Sequence, residues 1–283
     1  MKVLILGSTG MAGHLITLYF KEHGHDVTAY SVTPFPFTQN VVGNAFDLEQ
    51  LKLLLITGKF DLVINCIGLL NREADDNPDK SIFLNSYLPH FLVDVLKESR
   101  SKVIQMSTDC VFAGNTGPYF EDSLPDGRTI YDRTKALGEI NDKKNLTFRN
   151  SIIGPDMNPD GIGLFNWFMK QENEIKGYTK AMWTGVTTLT LAKAMEKAAN
   201  EDLKGIYNLV NNSSISKYDL LMLFNRYFKN NSIAISPFNG FVLDKSLRCS
   251  RTDFSFKVPD YEQQVEEMKE WIMSHKKLYP HYF

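Results

Sequence analysis

Cysteine is scarce: Cys66, Cys110 and Cys249 are the only three, and they stand far apart. That spacing excludes a disulfide framework and a Cys-x-x-Cys metal site, and it suits a reducing compartment, so the protein is expected in the cytoplasm. Excess charge of either sign is also missing. With 31 Lys and Arg against 33 Asp and Glu, the formal charge of −2 gives no electrostatic drive toward nucleic acid or an anionic membrane. Long apolar runs are absent too; the longest, near "LKLLLI" at 51–56, falls far short of the roughly 20 residues that cross a bilayer. Only four apolar residues follow Lys2 before Gly7, too few for the core of a secretion signal. Histidines form no ligand pattern: His23 and His25 bracket a helix-ending glycine and read as solvated surface, so no metal is expected.

What the sequence does have is alternation. "KVLILG" (2–7), "DVTAYS" (26–31), "LVINCIG" (62–68) and "KVIQMST" (102–108) are β-branched runs that stay apolar almost throughout, as strands buried on both faces do. Between them, "MAGHLITLYFKEHG" (11–24), "LEQLKLLLI" (48–56) and "SYLPHFLVDVLKES" (86–99) repeat apolar residues at helical spacing. Strand and helix in this order predict an α/β fold, a Rossmann-like doubly wound parallel sheet. Beyond residue 153 the pattern loosens through the turn-rich "GPDMNPDGIG" (154–163) into a smaller, mixed C-terminal substrate lobe. Residues 1–153 are therefore expected to form the dinucleotide-binding unit and 154–283 an interleaved lobe. Residues 184–211, with the strand "GIYNLV" (205–210), are expected to rejoin the first sheet.

"GSTGMAG" places Gly7, Gly10 and Gly13 directly after the first strand and at the opening of the first helix. Glycines there allow a tight turn, close approach of backbone to a pyrophosphate, and close helix–strand packing, with the phosphates at the positive helix end. A nicotinamide dinucleotide is the expected cofactor. Ser31 ends the second strand where NAD enzymes of this layout carry an acid, and it cannot repel a 2′-phosphate, which favours NADP over NAD. Asp47 is placed to meet the adenine amino group or to cap the helix that starts at 48, and the two roles are compatible.

In "IYDRTKALGE" (130–139), Tyr131 and Lys135 are one helical turn apart and share a face. By itself that pair is common on solvated helices. "STDCVFAG" (107–114) changes its weight by placing Thr108 at the carboxyl end of a predicted strand, where open α/β sheets bind ligands. A nearby ammonium would lower a phenol's pKa from about 10 toward working pH. The expected arrangement is Tyr131 as proton donor, Thr108 as hydrogen-bond donor to the same oxygen, and Lys135 beside both.

"GSTGMAG", "STDCVFAG" and "YDRTK" in this order resemble the extended short-chain dehydrogenase/reductase family. Together with "MWTGVTTLTLAKAM" (182–195), "GIYNLVNNSSISKYDLL" (205–221) and "LDKSLRCSRTDF" (243–254), they are most similar to its dTDP-4-dehydrorhamnose reductase group. The resemblance implies that Thr108, Tyr131 and Lys135 are catalytic, that Gly10, Met11 and Ala12 meet the pyrophosphate, and that Asp47 and Leu48 lie near adenine. It places Cys66, Ile67 and Gly68 at the nicotinamide ribose, Met106 beside the ring, and Asp109 and Ile152 at the sugar, although the family often has Trp at the last position. The implied substrate is a nucleotide-diphosphate sugar, with a homodimer formed through helices near 84–99 and 131–143.

Arg248 and Arg251 are the cations whose planar forks suit the substrate's diphosphate. Trp183, Phe165 and Trp167 could stack on a base, but packing in the core is the simpler expectation. Three functions compete: reduction of a 4-keto-6-deoxy sugar nucleotide, epimerisation with retained NAD, and a non-catalytic regulatory subunit. Dehydratases of the family usually carry Thr-Asp-Glu where this chain has Thr108, Asp109 and Cys110, and a thiol is a poor substitute for that acid. The sugar and its nucleotide are not legible in the sequence.

Overall fold

The computed structural model describes all 283 residues. Its first half runs β1 (Lys2–Leu6), α1 (Met11–Glu22), β2 (Asp26–Ser31), β3 (Gln39–Val42), α2 (Leu48–Gly58) and β4 (Leu62–Asn65). Short helices α3 (Asn71–Asp76) and α4 (Pro78–Ser81) lead through a π-helical turn, Ile82–Tyr87, into α5 (Leu88–Val95). Then come β5 (Lys102–Met106), α6 (Ile130–Leu137) and β6 (Leu146–Arg149). The second half adds β7 (Ile152–Ile153), α7 (Leu164–Met169), β8 (Ile175–Trp183), β9 (Val186–Thr187), α8 (Thr188–Asn200) and β10 (Gly205–Asn208). It closes with β11 (Ile215–Ser216), α9 (Lys217–Phe228), β12 (Ile235–Asp244) and α10 (Tyr261–Ser274).

Seven parallel strands form the main sheet in the order β10-β6-β5-β4-β1-β2-β3. The protein is thus α/β with a Rossmann-like sheet, and β10 rejoins it late in the chain by pairing with β6. Apolar side chains on the two faces feed separate clusters. One packs α1 and α8 against the sheet and runs into the C-terminal lobe, and the other packs α2 and α5. Two strands were not visible as apolar runs. β3 is a half-exposed edge of sequence QNVV, and β6 carries the buried but charged Arg149.

The order in which strands are added reverses at β1, which pairs β2 on one side and β4 on the other. Ligand crevices of open α/β sheets lie at the carboxyl ends of such strands. Here that edge carries Gly7, Cys66 and Ser107. A mixed three-stranded sheet, β11-β8-β12, and the small β7-β9 pair make up the rest of the lobe. No helix is long and apolar enough to cross a membrane.

Candidate functional site

The glycine turn forms an anion cradle. Gly7 has φ +81°, and a Cβ on Gly13 would come 2.0 Å from the Gly7 carbonyl oxygen, so α1 can pack this closely only without a side chain there. Gly10 caps α1 with no side-chain acceptor and no acid in the first turn, leaving the N–H groups of Met11, Ala12 and Gly13 without partners. Unpartnered N–H groups at a positive helix end fit a pyrophosphate. Cys66 and Ile67 pack directly against Gly7 from the end of β4. Burial pushes the Cys66 thiol up to about 12, so it stays protonated.

Ser31 is buried, donates to the Thr33 carbonyl at 2.7 Å and accepts from Ser8 at 3.2 Å, so its hydroxyl proton is committed to the loop after β2 and one acceptor lone pair is left. Asp47 caps α2 by accepting from the Gln50 N–H at 3.0 Å, with Leu48 as the first residue of that helix. Its carboxylate is exposed, and the cap leaves its second oxygen free.

Thr108 follows β5 and caps a 3₁₀ turn, Asp109–Val111, accepting from the Cys110 N–H at 3.1 Å and donating to Asp109 Oδ1 at 3.2 Å. Tyr131 opens α6, whose start is fixed by a capping box between Thr129 and Asp132. Both side chains are buried where α6 packs on that turn, and Thr108 draws the phenol's pKa down. That effect is outweighed. Desolvation, with Cys110 and Asp109 alongside, pushes the Tyr131 phenol well above its ordinary value. The expected depression by Lys135 does not occur, because that ammonium turns away to donate to the Met106 carbonyl at 2.6 Å. Its own pKa falls to about 8 through burial, against the pull of Glu139. The Lys135 ammonium thus sits at the end of β5, with Gly68 of the segment after β4 beside it.

A buried network sets these positions. Glu139, just past α6, pairs with Arg149 of β6 at 2.6 and 2.8 Å and accepts from Ser107 at 2.6 Å. Asn85, in the π-helical turn, clasps both backbone groups of Leu69 and donates to Thr134 of α6 at 3.2 Å. Neither Asn85 nor Glu139 carries a local sequence signal, since each is defined by partners distant in the chain.

Across the crevice the lobe contributes Lys217, the first residue of α9, a residue that sequence reasoning did not single out. Its ammonium lies 5.1 Å from the Trp183 ring centre. Burial lowers it to about 8 while the charge of Asp109 holds it up. Asp109 is itself buried, which raises its pKa, with Lys217 and Lys245 opposing the rise. Cys110 is pushed up to about 12 and cannot act as an acid–base substitute for glutamate.

The two arginines separate. The Arg248 guanidinium makes no hydrogen bond or ion pair within the chain, while its backbone joins Tyr119 and Asn208 near the carboxyl end of β10. Arg251 is committed elsewhere: it donates to the Lys204 and Ile206 carbonyls at 2.6 and 2.8 Å and pairs with Asp253 at 2.5 Å. These contacts hold it at the amino end of β10, away from the crevice, so it does not grip a diphosphate. Ile152 lies in β7 and packs against the main core. Trp183 and Phe165 are core residues, whereas Trp167 is exposed.

A family model described as the RmlD substrate binding domain matches residues 1–241. Methionine adenosyltransferase 2 subunit beta of Xenopus laevis is 25% identical over 236 residues, covering 77% of this chain and 70% of that protein. The dTDP-4-dehydrorhamnose reductase of Streptomyces griseus is 29% identical over 138 residues, 48% of this chain and 43% of the relative. Among solved structures, dTDP-4-dehydrorhamnose reductase from Bacillus anthracis in complex with NADP superposes with a TM-score of 0.78 at 18% identity, covering 94% and 97% of the two chains.

Proposed function

Since the chain belongs to the RmlD substrate binding domain family, we propose that it is an NAD(P)H-dependent reductase of a 4-keto-6-deoxy sugar nucleotide, acting in glycan biosynthesis. The observation that carries this reading is the burial of Thr108 and Tyr131 where α6 packs on the turn at the carboxyl end of β5, with the Lys135 ammonium on the Met106 carbonyl at the same strand end. The reading takes residues 1–153 with 184–211 as the cofactor unit and the remainder as the substrate lobe.

Gly10, Met11 and Ala12 would hold the pyrophosphate, Asp47 and Leu48 would border adenine, and Cys66, Ile67, Gly68 and Met106 would surround the nicotinamide ribose and ring. When bound, the reduced nicotinamide supplies a hydride to the carbonyl carbon. Tyr131 gives its proton to the carbonyl oxygen as negative charge develops there, and Thr108 donates a hydrogen bond to the same atom. Lys135, held at the Met106 carbonyl at the end of β5, would donate to ribose hydroxyls. The phenol's raised pKa keeps the proton available for donation through neutral pH. No acid stands at the end of β2, where Ser31, Val32 and Thr33 follow one another, and NADPH is the favoured reductant.

The test is oxidation of NADPH and NADH against a panel of 4-keto-6-deoxy sugar nucleotides. Turnover is expected, with a lower Michaelis constant for NADPH, and Tyr131→Phe is expected to lose roughly 100-fold or more in kcat while still binding cofactor. Near-normal turnover by that variant would reject the assignment.

Similarity to methionine adenosyltransferase 2 subunit beta supports a second reading, a cofactor-binding regulatory subunit. Tight NADPH binding with no oxidation by any member of the panel would favour it.

A further inference from the structure

A short segment of the substrate lobe, 244–250, lies along the loop that follows Thr108. In that loop Tyr119 donates its N–H to the Ser246 carbonyl at 2.9 Å, forms a parallel bridge with Leu247, and accepts from the Arg248 N–H at 2.8 Å. The Arg248 carbonyl accepts at 2.9 Å from the Asn208 side chain, which also reaches the Tyr119 carbonyl at 3.3 Å. Glu121 closes these fastenings. One of its carboxylate oxygens accepts from the Asn208 backbone N–H at 3.2 Å, and the other accepts from the Ser250 N–H at 3.0 Å and the Ser250 hydroxyl at 2.7 Å. Arg149 of β6 donates to the Phe120 and Glu121 carbonyls at 3.3 and 3.5 Å, which ties the same loop to the sheet. Burial works against a charge on Glu121, yet the Ser250 bonds hold its carboxyl below the ordinary range, so it is ionised at neutral pH.

We propose that Glu121 is a positioning residue for the substrate: by fastening the segment that carries Arg248 to the carboxyl end of β10, it holds the unpaired Arg248 guanidinium ready for the diphosphate of the sugar nucleotide. The inference rests on the reductase reading for its ligand. Arg248 stands between the bridge at Leu247 and the fastening at Ser250, so both neighbours of its backbone are fixed while its fork stays free. A planar fork of donors suits a diphosphate, and Arg251, the other arginine of this stretch, is already committed to Asp253. Only a carboxylate fits at 121, because it meets three donors and has acceptors alone; a carboxamide would turn its own N–H groups toward at least one of them. Without the fastening, the cost of ordering the segment falls on substrate binding. The cofactor is spared by topology, since β5 and β4 separate β6 from the glycine turn that follows β1.

The experiment compares wild type, Glu121→Gln, Arg248→Ala and the double variant in turnover of dTDP-4-keto-6-deoxyglucose and in calorimetry with dTDP and UDP on the NADP-loaded protein. Glu121→Gln is expected to raise the KM roughly tenfold, as loss of a charge-assisted hydrogen bond does, with kcat and NADPH affinity within about twofold of wild type. In the double variant the losses should not multiply, and dTDP affinity should match that of Arg248→Ala within about twofold. Losses that multiply, or NADPH affinity that weakens alongside dTDP affinity, would show Glu121 to be merely structural and overturn the proposal. Should Glu121→Gln fail to fold, Ser250→Ala removes the 2.7 Å bond at an exposed position and is expected to raise the KM roughly threefold at unchanged kcat. An unchanged KM in that variant would overturn the proposal as well. The same pattern in dTDP affinity, without turnover of any 4-keto sugar nucleotide, would sustain the role of Glu121 while the reductase reading falls. Turnover by wild type with dTDP affinity unaltered in Arg248→Ala would sink the proposal and leave that reading standing, and wild type that binds neither dTDP nor UDP would sink it too.

Discussion

Burial keeps a proton on Tyr131, and burial makes Lys135 easier to deprotonate, so the two side chains set opposite limits on the pH range of reduction. The phenol, raised above its ordinary value, stays protonated across neutral pH and adds no limb there. Lys135, lowered to about 8, is charged below that pH and loses its charge above it. The rate of reduction should be level near pH 7 and fall as pH rises through about 8. Lys217 is lowered to the same value, so Lys217→Met separates the two: the fall should persist in that variant. A profile flat to pH 10 would remove Lys135 from the mechanism. Thr108, Tyr131 and Lys135 were legible because a strand end and a helical period place them on their own. The roles of Ser31 and Arg251 were not, because they depend on partners that no local pattern reveals: the Ser8 hydroxyl and Thr33 carbonyl for one, the Lys204 and Ile206 carbonyls for the other.

Helix α6 is held to the sheet by charge as well as by apolar contact. Arg149 and Glu139 are almost wholly buried, 1% and 5% exposed, and their bidentate contact joins the end of α6 to β6 while Ser107 ties it to β5. Removing one member of such a pair leaves an uncompensated buried charge, which costs about 3–5 kcal/mol. Arg149→Met should therefore lower the unfolding free energy from urea titration by an amount of that order and also slow turnover, since Tyr131 and Thr108 sit on the elements the pair connects. Glu139→Gln has a further signature. Glu139 supports the charge on Lys135, so its loss should move the alkaline limb below about 8. A limb that stays in place would show that the pair acts on stability alone. The parallel core strands and the long helices were readable from their periods. The edge strand β3 and the Arg-bearing β6 were not, because each breaks the apolar run by which a central strand is recognised.

At the scale of the molecule, the two chain ends meet behind the cofactor cradle. His14 of α1 is fully buried, with one ring nitrogen 3.0 Å from the Gly10 carbonyl and the other 2.8 Å from the hydroxyl of Tyr279, which the Trp271 indole also reaches at 3.2 Å. The neutral ring fits these partners, donating to Gly10 and accepting from Tyr279. Desolvation accordingly drops its pKa from 6.5 to about 4. The sign follows from proton counting: between those values the unfolded chain binds a proton that the folded chain refuses, so stability is complete above pH 6.5 and declines as pH falls toward 4. A depression of this size corresponds to at most about 3 kcal/mol. Carboxylates whose folded pKa values are lowered, such as Asp142 and Asp253, also destabilise the fold in acid, so the informative quantity is a difference between proteins. His14→Gln keeps a hydrogen-bonding side chain at the site and removes the titration. Its urea midpoint should start below that of wild type at pH 7, and the gap should narrow steadily as pH falls from 6.5 to 4. Because His14 also holds the carbonyl of the residue that caps α1, its effect on wild-type affinity for NADPH should be absent down to about pH 4 and set in only there, where the folded ring takes up its proton. A gap in urea midpoint that stays constant with pH would show that His14 is not the buried neutral group on which this linkage depends.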